Sequence, residues 1–233
     1  NIILFGFIGQ IAWAVENVYF NTFLFNYIGG TADDIAKMVA ASAIAAVATT
    51  FIMGTLSDKL DRRKIFISGG YIIWGFTVAV FAFISRDNIG KLFNISDTSK
   101  VVAATVCVVI IMDCVMTFFG STSNDAAFNA WITDVTVPEN RGTAEAVLAL
   151  LPVFATVIVT VAFGVGVEAA GYPACFMFLG ALVTICGIIG LFSVKDPRKG
   201  VKQSTNYFSD LIYGFRPSVI KNNAALYLCL ASA

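Results

Sequence analysis

Apolar residues in this chain do not alternate with polar ones but run in long blocks separated by short polar islands. That pattern predicts six helical spans and the start of a seventh, at about 2–28, 35–57, 65–85, 101–133, 143–168, 172–194 and 223 onward. A helix crosses a hydrocarbon layer of about 30 Å in about 20 residues, and each complete block is long enough to do so. The fourth is too long for a perpendicular span, since roughly 33 residues at 1.5 Å rise exceed that thickness. It must tilt, bend or protrude, and the stretch from Gly120 to Ser123 is the expected bend.

Composition agrees with lipid as the surrounding solvent. Apolar residues make up 58% of the chain and charged residues 13%, with a mean hydropathy of +0.82, against about 25% charged in soluble domains. The net charge is zero, so no basic field points to nucleic acid. Histidine is absent, which removes zinc-protease, Ser/His rhomboid-like and histidine proton-relay chemistry. The five cysteines lie within apolar segments without framework or metal spacing and read as small core hydrophobes. No metal or cofactor is expected.

Lys and Arg are distributed asymmetrically, which gives an orientation. Eleven of the fifteen follow the second, fourth and sixth spans, from Lys59 to Lys64, at Arg141 and from Lys195 to Lys221; Lys37, Arg86, Lys91 and Lys100 mark the other side. The cation-rich side is the expected cytoplasmic face, with both ends of the six-helix unit inside a plasma (bacterial inner) membrane. The chain opens at Asn1 inside one apolar run and stops at Ala233 inside another, so an amino-terminal half is expected, with a carboxy-terminal half missing. The expected organisation is a six-helix bundle over 1–194, a cytoplasmic central linker over 195–222 and the start of a seventh helix over 223–233. Tyr207, Phe208, Leu211, Ile212 and Phe215 recur at helical spacing within the linker, as in a short interfacial helix or one packed on the bundle.

Between the second and third spans the sequence reads GTLSDKLDRRK, from Gly54 to Lys64. It resembles the signature loop of major facilitator transporters at Gly54, Leu56, Ser57, Asp58, Lys59, Arg62, Arg63 and Lys64, with Asp61 where that signature has a second glycine. Gly54 is expected to let a neighbouring helix approach closely. The resemblance implies an all-α membrane fold whose six-helix unit is two three-helix repeats, and a latch in which the aspartate bridges to the other half. Gly54, Asp58, Arg62, Arg63 and Arg141 are the expected latch residues, with Arg141 the nearby partner of Asp58.

Ionisable groups at membrane depth are expensive and face the bundle interior by default, which singles out Glu16, Asp113 and Asp125. In the first span Gln10, Trp13, Asn17 and Asn21 form one helical stripe, with Glu16 and Tyr19 beside it. Amides and carboxylates suit hydroxyl groups and an aromatic ring suits the apolar face of a sugar, so Trp13, Glu16, Asn17, Asn21 and Asn129 are candidate substrate-binding residues. Hydrogen-bonding between helices is the alternative role for the two asparagines. In the fourth span Asp113, Thr117, Ser121, Asp125, Asn129 and Thr133 recur every fourth position. Such a ridge drifts by about 40° per step on a straight helix, so its ends share one cavity only if the helix bends.

The segment from Asn124 to Gly142 is similar to the fourth span of the glycoside-pentoside-hexuronide:cation symporters, the melibiose permease group. This similarity implies a cation or proton site at Asp125, with Ser121 and Asp113 as further coupling candidates. In that group the second span adds two carboxylates shortly before an Ile-Met-Gly triplet; here Ile52-Met53-Gly54 is present, but the corresponding positions hold Ala46 and Thr50. One carboxylate suffices for a proton and makes a poorer Na⁺ cage, so coupling to H⁺, or no coupling, is expected ahead of Na⁺. Asp134 and Glu145 are expected to be bundle-end charges paired with Arg141. The leading function is alternating-access transport of a small solute, a sugar or glycoside, with a lipid or drug-like solute as the rival and a non-transporting receptor or scaffold as the alternative class. An aspartyl protease pair is disfavoured, because Asp113 and Asp125 lie about 18 Å apart along one helix.

Overall fold

The computed structural model describes residues 1–60, 62–196, 216–225 and 228 of the chain. The interfacial helix expected at 207–215 lies outside them, as do Asp61, Arg198, Lys199, Lys202, Cys229 and most of the expected seventh span. Among the described residues all regular structure is helical. Helices α1 (Ile2–Ile28), α2 (Ala32–Leu60), α3 (Ile65–Phe83) and α5 (Thr98–Val135) are each long and apolar enough to cross a membrane. So is α6 (Pro138–Ser193), which does so twice because Gly171, at φ 80 and ψ 167, divides it into arms 138–170 and 172–193. Glycine tolerates that backbone region where other residues strain.

Two short helices complete the described chain. α4 (Arg86–Phe93) occupies what the sequence pattern left as a loop, and α7 (Pro217–Asn222) is exposed. α4 has a clear cause: Ser85 caps its first turn by accepting from the Asn88 N–H at 3.2 Å, and Asn94 ends it in the left-handed conformation at φ 53. Eight residues with alternating polarity carry no span signal, which is why hydropathy passes over them.

The bundle is closed by small residues where helices meet backbone to backbone. A Cβ on Gly75 of α3 would sit 2.5 Å from the Gly180 carbonyl oxygen, and one on Gly180 would sit 2.5 Å from that of Gly75. Gly187 continues the seam, its Cβ position lying 2.6 Å from the Ile72 nitrogen. In lipid no hydrophobic drive brings helices together, so close van der Waals contact of this kind is what holds them. Gly54 behaves differently. Its Cβ position meets only the Ala126 Cβ at 3.9 Å, ordinary contact, so the expectation of close helix approach there is corrected. α2 buries a narrow stripe, Met38, Ser42, Thr49 and Ser57, and leaves its remaining apolar surface outward.

The cation-bearing loops gather at one end of the bundle. The Asn1 amide donates to the Ser193 carbonyl at 2.9 Å, the Lys64 N–H to Asp196 at 2.8 Å, and the Trp131 indole to the Lys195 carbonyl at 3.1 Å. Arg63, buried at this end, donates to Ser57 Oγ at 2.6 Å and to Asp134 Oδ2 at 3.0 Å, and pairs with Asp58 Oδ1 at 2.5 Å. Burial opposes its charge, but the hydrogen bonds to Asp134 and Asp58 outweigh it and hold the guanidinium above its ordinary pKa. Arg63, not Arg141, is therefore the partner of both Asp58 and Asp134. Arg141 instead donates to the Thr133 carbonyl at 2.8 Å and to Thr136 Oγ1 at 3.2 Å, closing the turn between α5 and α6. Arg63 stands three residues past the end of α2 in sequence, close to Asp58, whereas Arg141 is held within its own turn. Arg62 is exposed beside it.

Gly180→Val should cost at least about 1–3 kcal/mol through overpacking, seen as a lower thermal midpoint of the solubilised protein. Gly54→Ala should stay within about 0.5 kcal/mol of the parent, and an equal loss for both would contradict the glycine seam. Arg63→Ala should cost about 1–3 kcal/mol by stranding Ser57 and Asp134, and Asp58→Asn clearly less, because the Asp58 side chain is 63% exposed.

Candidate functional site

α5 is α-helical from Thr98 to Gly120 and π-helical from Ser121 to Phe128, so the sequence's expected bend lies where the helix changes type. A π-helix bonds i to i+5, which withdraws N–H groups from carbonyls they would satisfy in an α-helix. Side-chain hydroxyls take them up: Thr122 donates to the Phe118 carbonyl at 2.7 Å and Ser123 to that of Phe119 at 2.8 Å. The same device recurs in α1, π-helical over Glu16–Phe20, where Asn17 donates to the Trp13 carbonyl and Asn21 to the Asn17 carbonyl, each at 2.9 Å.

The π-helical stretch also changes which residues face together. Each residue added to a turn rotates the remainder of the helix back by about 100°, offsetting the drift of the every-fourth ridge. Asp125 and Asn129 consequently line one cavity of about 250 Å³ between α1, α5 and the first arm of α6, together with Gln10, Asn124 and Glu145. Asp113 does not. It is buried, 1% exposed, and lies beside Ser42 of α2.

Glu16 joins the two ends of the ridge. Thr117 Oγ1 donates to its Oε1 at 3.2 Å, and its carboxylate lies within charge–charge range of Asp113 and, more weakly, Asp125. Asp125 sits among Ser121, Asn124 and Trp13, with Asn124 Nδ2 donating to it at 3.2 Å. Asn124 is fixed from behind by the Tyr71 hydroxyl at 2.9 Å, which is also 2.7 Å from the Phe5 carbonyl. Gly9 makes room for both, since a Cβ there would collide with the Asn124 amide and lie 2.6 Å from the Tyr71 oxygen. Trp13 packs against Trp74 with ring centroids 5.0 Å apart and planes tilted by 45°, and Gly120 lets both rings approach α5.

Several polar atoms at this centre are buried and lack a hydrogen-bond partner: Glu16 Oε2, Asp113 Oδ1 and Ser121 Oγ. None of Glu16, Asp113 and Asp125 forms an ion pair with Lys or Arg among the described residues. Three carboxylates thus share the bundle interior without a compensating base. Of the expected sugar-facing wall, Trp13 and Glu16 reach this centre, while the amide nitrogens of Asn17 and Asn21 bond back to their own helix. Asn17 is exposed.

Sequence reasoning missed Ser42, Tyr71 and Gly9, and placed Glu145 with Arg141 when it lines the Asp125 cavity. Ser42 had a signal, because Ser42 and Thr49 are spaced by seven in an alanine-rich helix and mark one face. Tyr71 had none, being one aromatic residue in an apolar block. In the second span Thr50 Oγ1 donates to the Ala46 carbonyl at 2.9 Å, so that position closes on its own helix.

Neither a curated protein nor a solved structure matches the chain significantly. The family model of the Major Facilitator Superfamily matches residues 2–233, almost the whole sequence. With its long apolar helices, this chain is an integral, multi-pass membrane protein and belongs to the Major Facilitator Superfamily, a family of transporters.

Proposed function

We propose that the protein is a secondary active transporter that couples movement of a small hydroxylated solute, a sugar or glycoside, to the entry of protons at its buried carboxylates. The observation that carries this reading is the set of three interior acids, Glu16, Asp113 and Asp125, with no ion-paired base among the described residues. Buried negative charge without a partner costs several kcal/mol per group, so the occupied bundle needs incoming positive charge to be neutral. Alternating access exposes such a site to one side and then the other, and the membrane gradient supplies the work.

Proton coupling is favoured over Na⁺ by the donor set. Na⁺ needs several oxygens at one point, whereas the groups against the Asp125 carboxylate are the Ser121 hydroxyl, the Asn124 amide N–H and Trp13, and α2 offers no carboxylate at Ala46 or Thr50. A sugar or glycoside is favoured by the lining of the Asp125 cavity: Gln10, Asn124, Asn129 and Glu145 give donors and acceptors, with Trp13 beside them for an apolar sugar face. In this reading the cation-rich end faces the cytoplasm, Asp58 and Arg63 belong to the latch, and a second six-helix unit closes the substrate path.

Proteoliposomes containing the whole transporter chain test the reading. Uptake of glycosides should follow an imposed pH gradient and be indifferent to a Na⁺ gradient at constant pH; stimulation by Na⁺ alone would contradict the coupling assignment. Asp125→Asn and Glu16→Gln should each lower gradient-driven uptake by at least about tenfold, equivalent to roughly 1.4 kcal/mol. Unchanged uptake by the double variant would remove the site assignment. Competition by lipid-like or drug-like solutes but not by glycosides would replace the substrate class and leave the coupling result standing.

A further inference from the structure

At the end of the bundle away from Arg63, α4 lies between α3 and α5 and packs on α5. At 100° per residue its side chains divide into two arcs. Leu92, Ile89 and Phe93 share one, and Arg86, Gly90, Asp87 and Lys91 the other. Ile89 is held in the core at 5% exposure, but Leu92 and Phe93 on either side of it are 73% and 54% exposed. The opposite arc faces an open cavity of about 660 Å³, whose lining includes Arg86, Lys91, Asn94, Ser96 and Thr98.

We propose that α4 and the turn after it bind the phosphate headgroup of an anionic phospholipid, with Arg86 and Lys91 as the cations and Leu92 and Phe93 in the adjoining acyl region. Charge supports this occupant. Neither Arg86 nor Lys91 forms an ion pair among the described residues, so with Asp87 the cavity keeps one net positive charge. Asp97, the nearest acid along the turn, does not line the cavity; it caps α5, accepting from the Lys100 N–H at 3.0 Å. Hydroxyl and amide groups of Ser96, Thr98 and Asn94 can donate to phosphate oxygens alongside the cations.

The apolar arc selects lipid over a free anion. Two large apolar side chains left exposed beside two cations, at the mouth of a set of membrane-crossing helices, match an interfacial helix whose apolar side enters the acyl boundary while its cations stay with the headgroups. A soluble phosphate would gain nothing from Leu92 and Phe93. The inference is independent of the solute and of the coupling ion.

The test uses the whole chain, purified in detergent, with phosphatidylglycerol, phosphatidylcholine and inorganic phosphate as probes. Native mass spectrometry counts retained lipid, and the thermal midpoint reports protection. Phosphatidylglycerol should be retained in preference to phosphatidylcholine, and each cation removed should lower its apparent affinity by about fivefold, so that Arg86→Gln with Lys91→Gln abolishes the preference. Leu92→Ser with Phe93→Ser should weaken retention of both lipids. Inorganic phosphate should not compete. Persistence of the preference in the double charge variant, absence of a preference in the parent, or competition by inorganic phosphate would each overturn the proposal. Should the double variant fail to fold, the exposed Lys91→Gln alone must still show the fivefold loss.

Discussion

Within hydrocarbon a backbone carbonyl or N–H without a partner costs several kcal/mol, and that constraint governs the rest of this structure. It makes every described span a helix, and it decides what happens where the helix changes type. Ser121–Phe128 is π-helical in the middle of a membrane span, and such a stretch is possible there because Thr122 and Ser123 donate to the carbonyls it would otherwise expose. Polar residues at the centre of α5 therefore do two things. They repair the backbone, as Asn129 also does by donating to the Asp125 carbonyl at 3.0 Å, and the same irregularity turns Asp125 and Asn129 into a shared cavity.

Packing follows from the absence of a hydrophobic drive between helices in lipid. Gly75, Gly180 and Gly187 let α3 and the second arm of α6 meet along their backbones, and Gly9 and Gly120 leave room for side chains around the polar centre. The polar centre is thus set by what is missing as much as by what is present: without side chains at Gly9 and Gly120, Tyr71, Asn124, Trp13 and Trp74 converge behind Asp125. At the cationic end one guanidinium, Arg63, ties the end of α2 to the end of α5 and fixes where the first three helices stand relative to the fourth span.

Much of this was legible in the sequence, for identifiable reasons. The spans came from block hydropathy, the gathering of the cationic loops at one end from the positions of Lys and Arg, and the three interior acids from their isolation in apolar runs. Other features were illegible because they depend on distance in space. Asp58 could be paired on paper with Arg141, but the short return of the α2–α3 loop puts Arg63 there first. Glu145 looked like a bundle-end charge, and only the crossing of α1, α5 and α6 shows it lining the Asp125 cavity.

By itself, then, the sequence determined solvent, spans and which acids stand isolated in apolar runs, because hydropathy and isolated charge are properties read residue by residue along a chain. Tertiary structure decided partners and phase. It assigned Arg63 to Asp58 and Asp134, separated Asp113 from the cavity that Asp125 and Asn129 share, and made α4 a helix with exposed Leu92 and Phe93. Those outcomes rest on how far a helix has rotated by the time a residue is reached, and on which neighbour's glycine leaves room for it; neither quantity is carried by local composition.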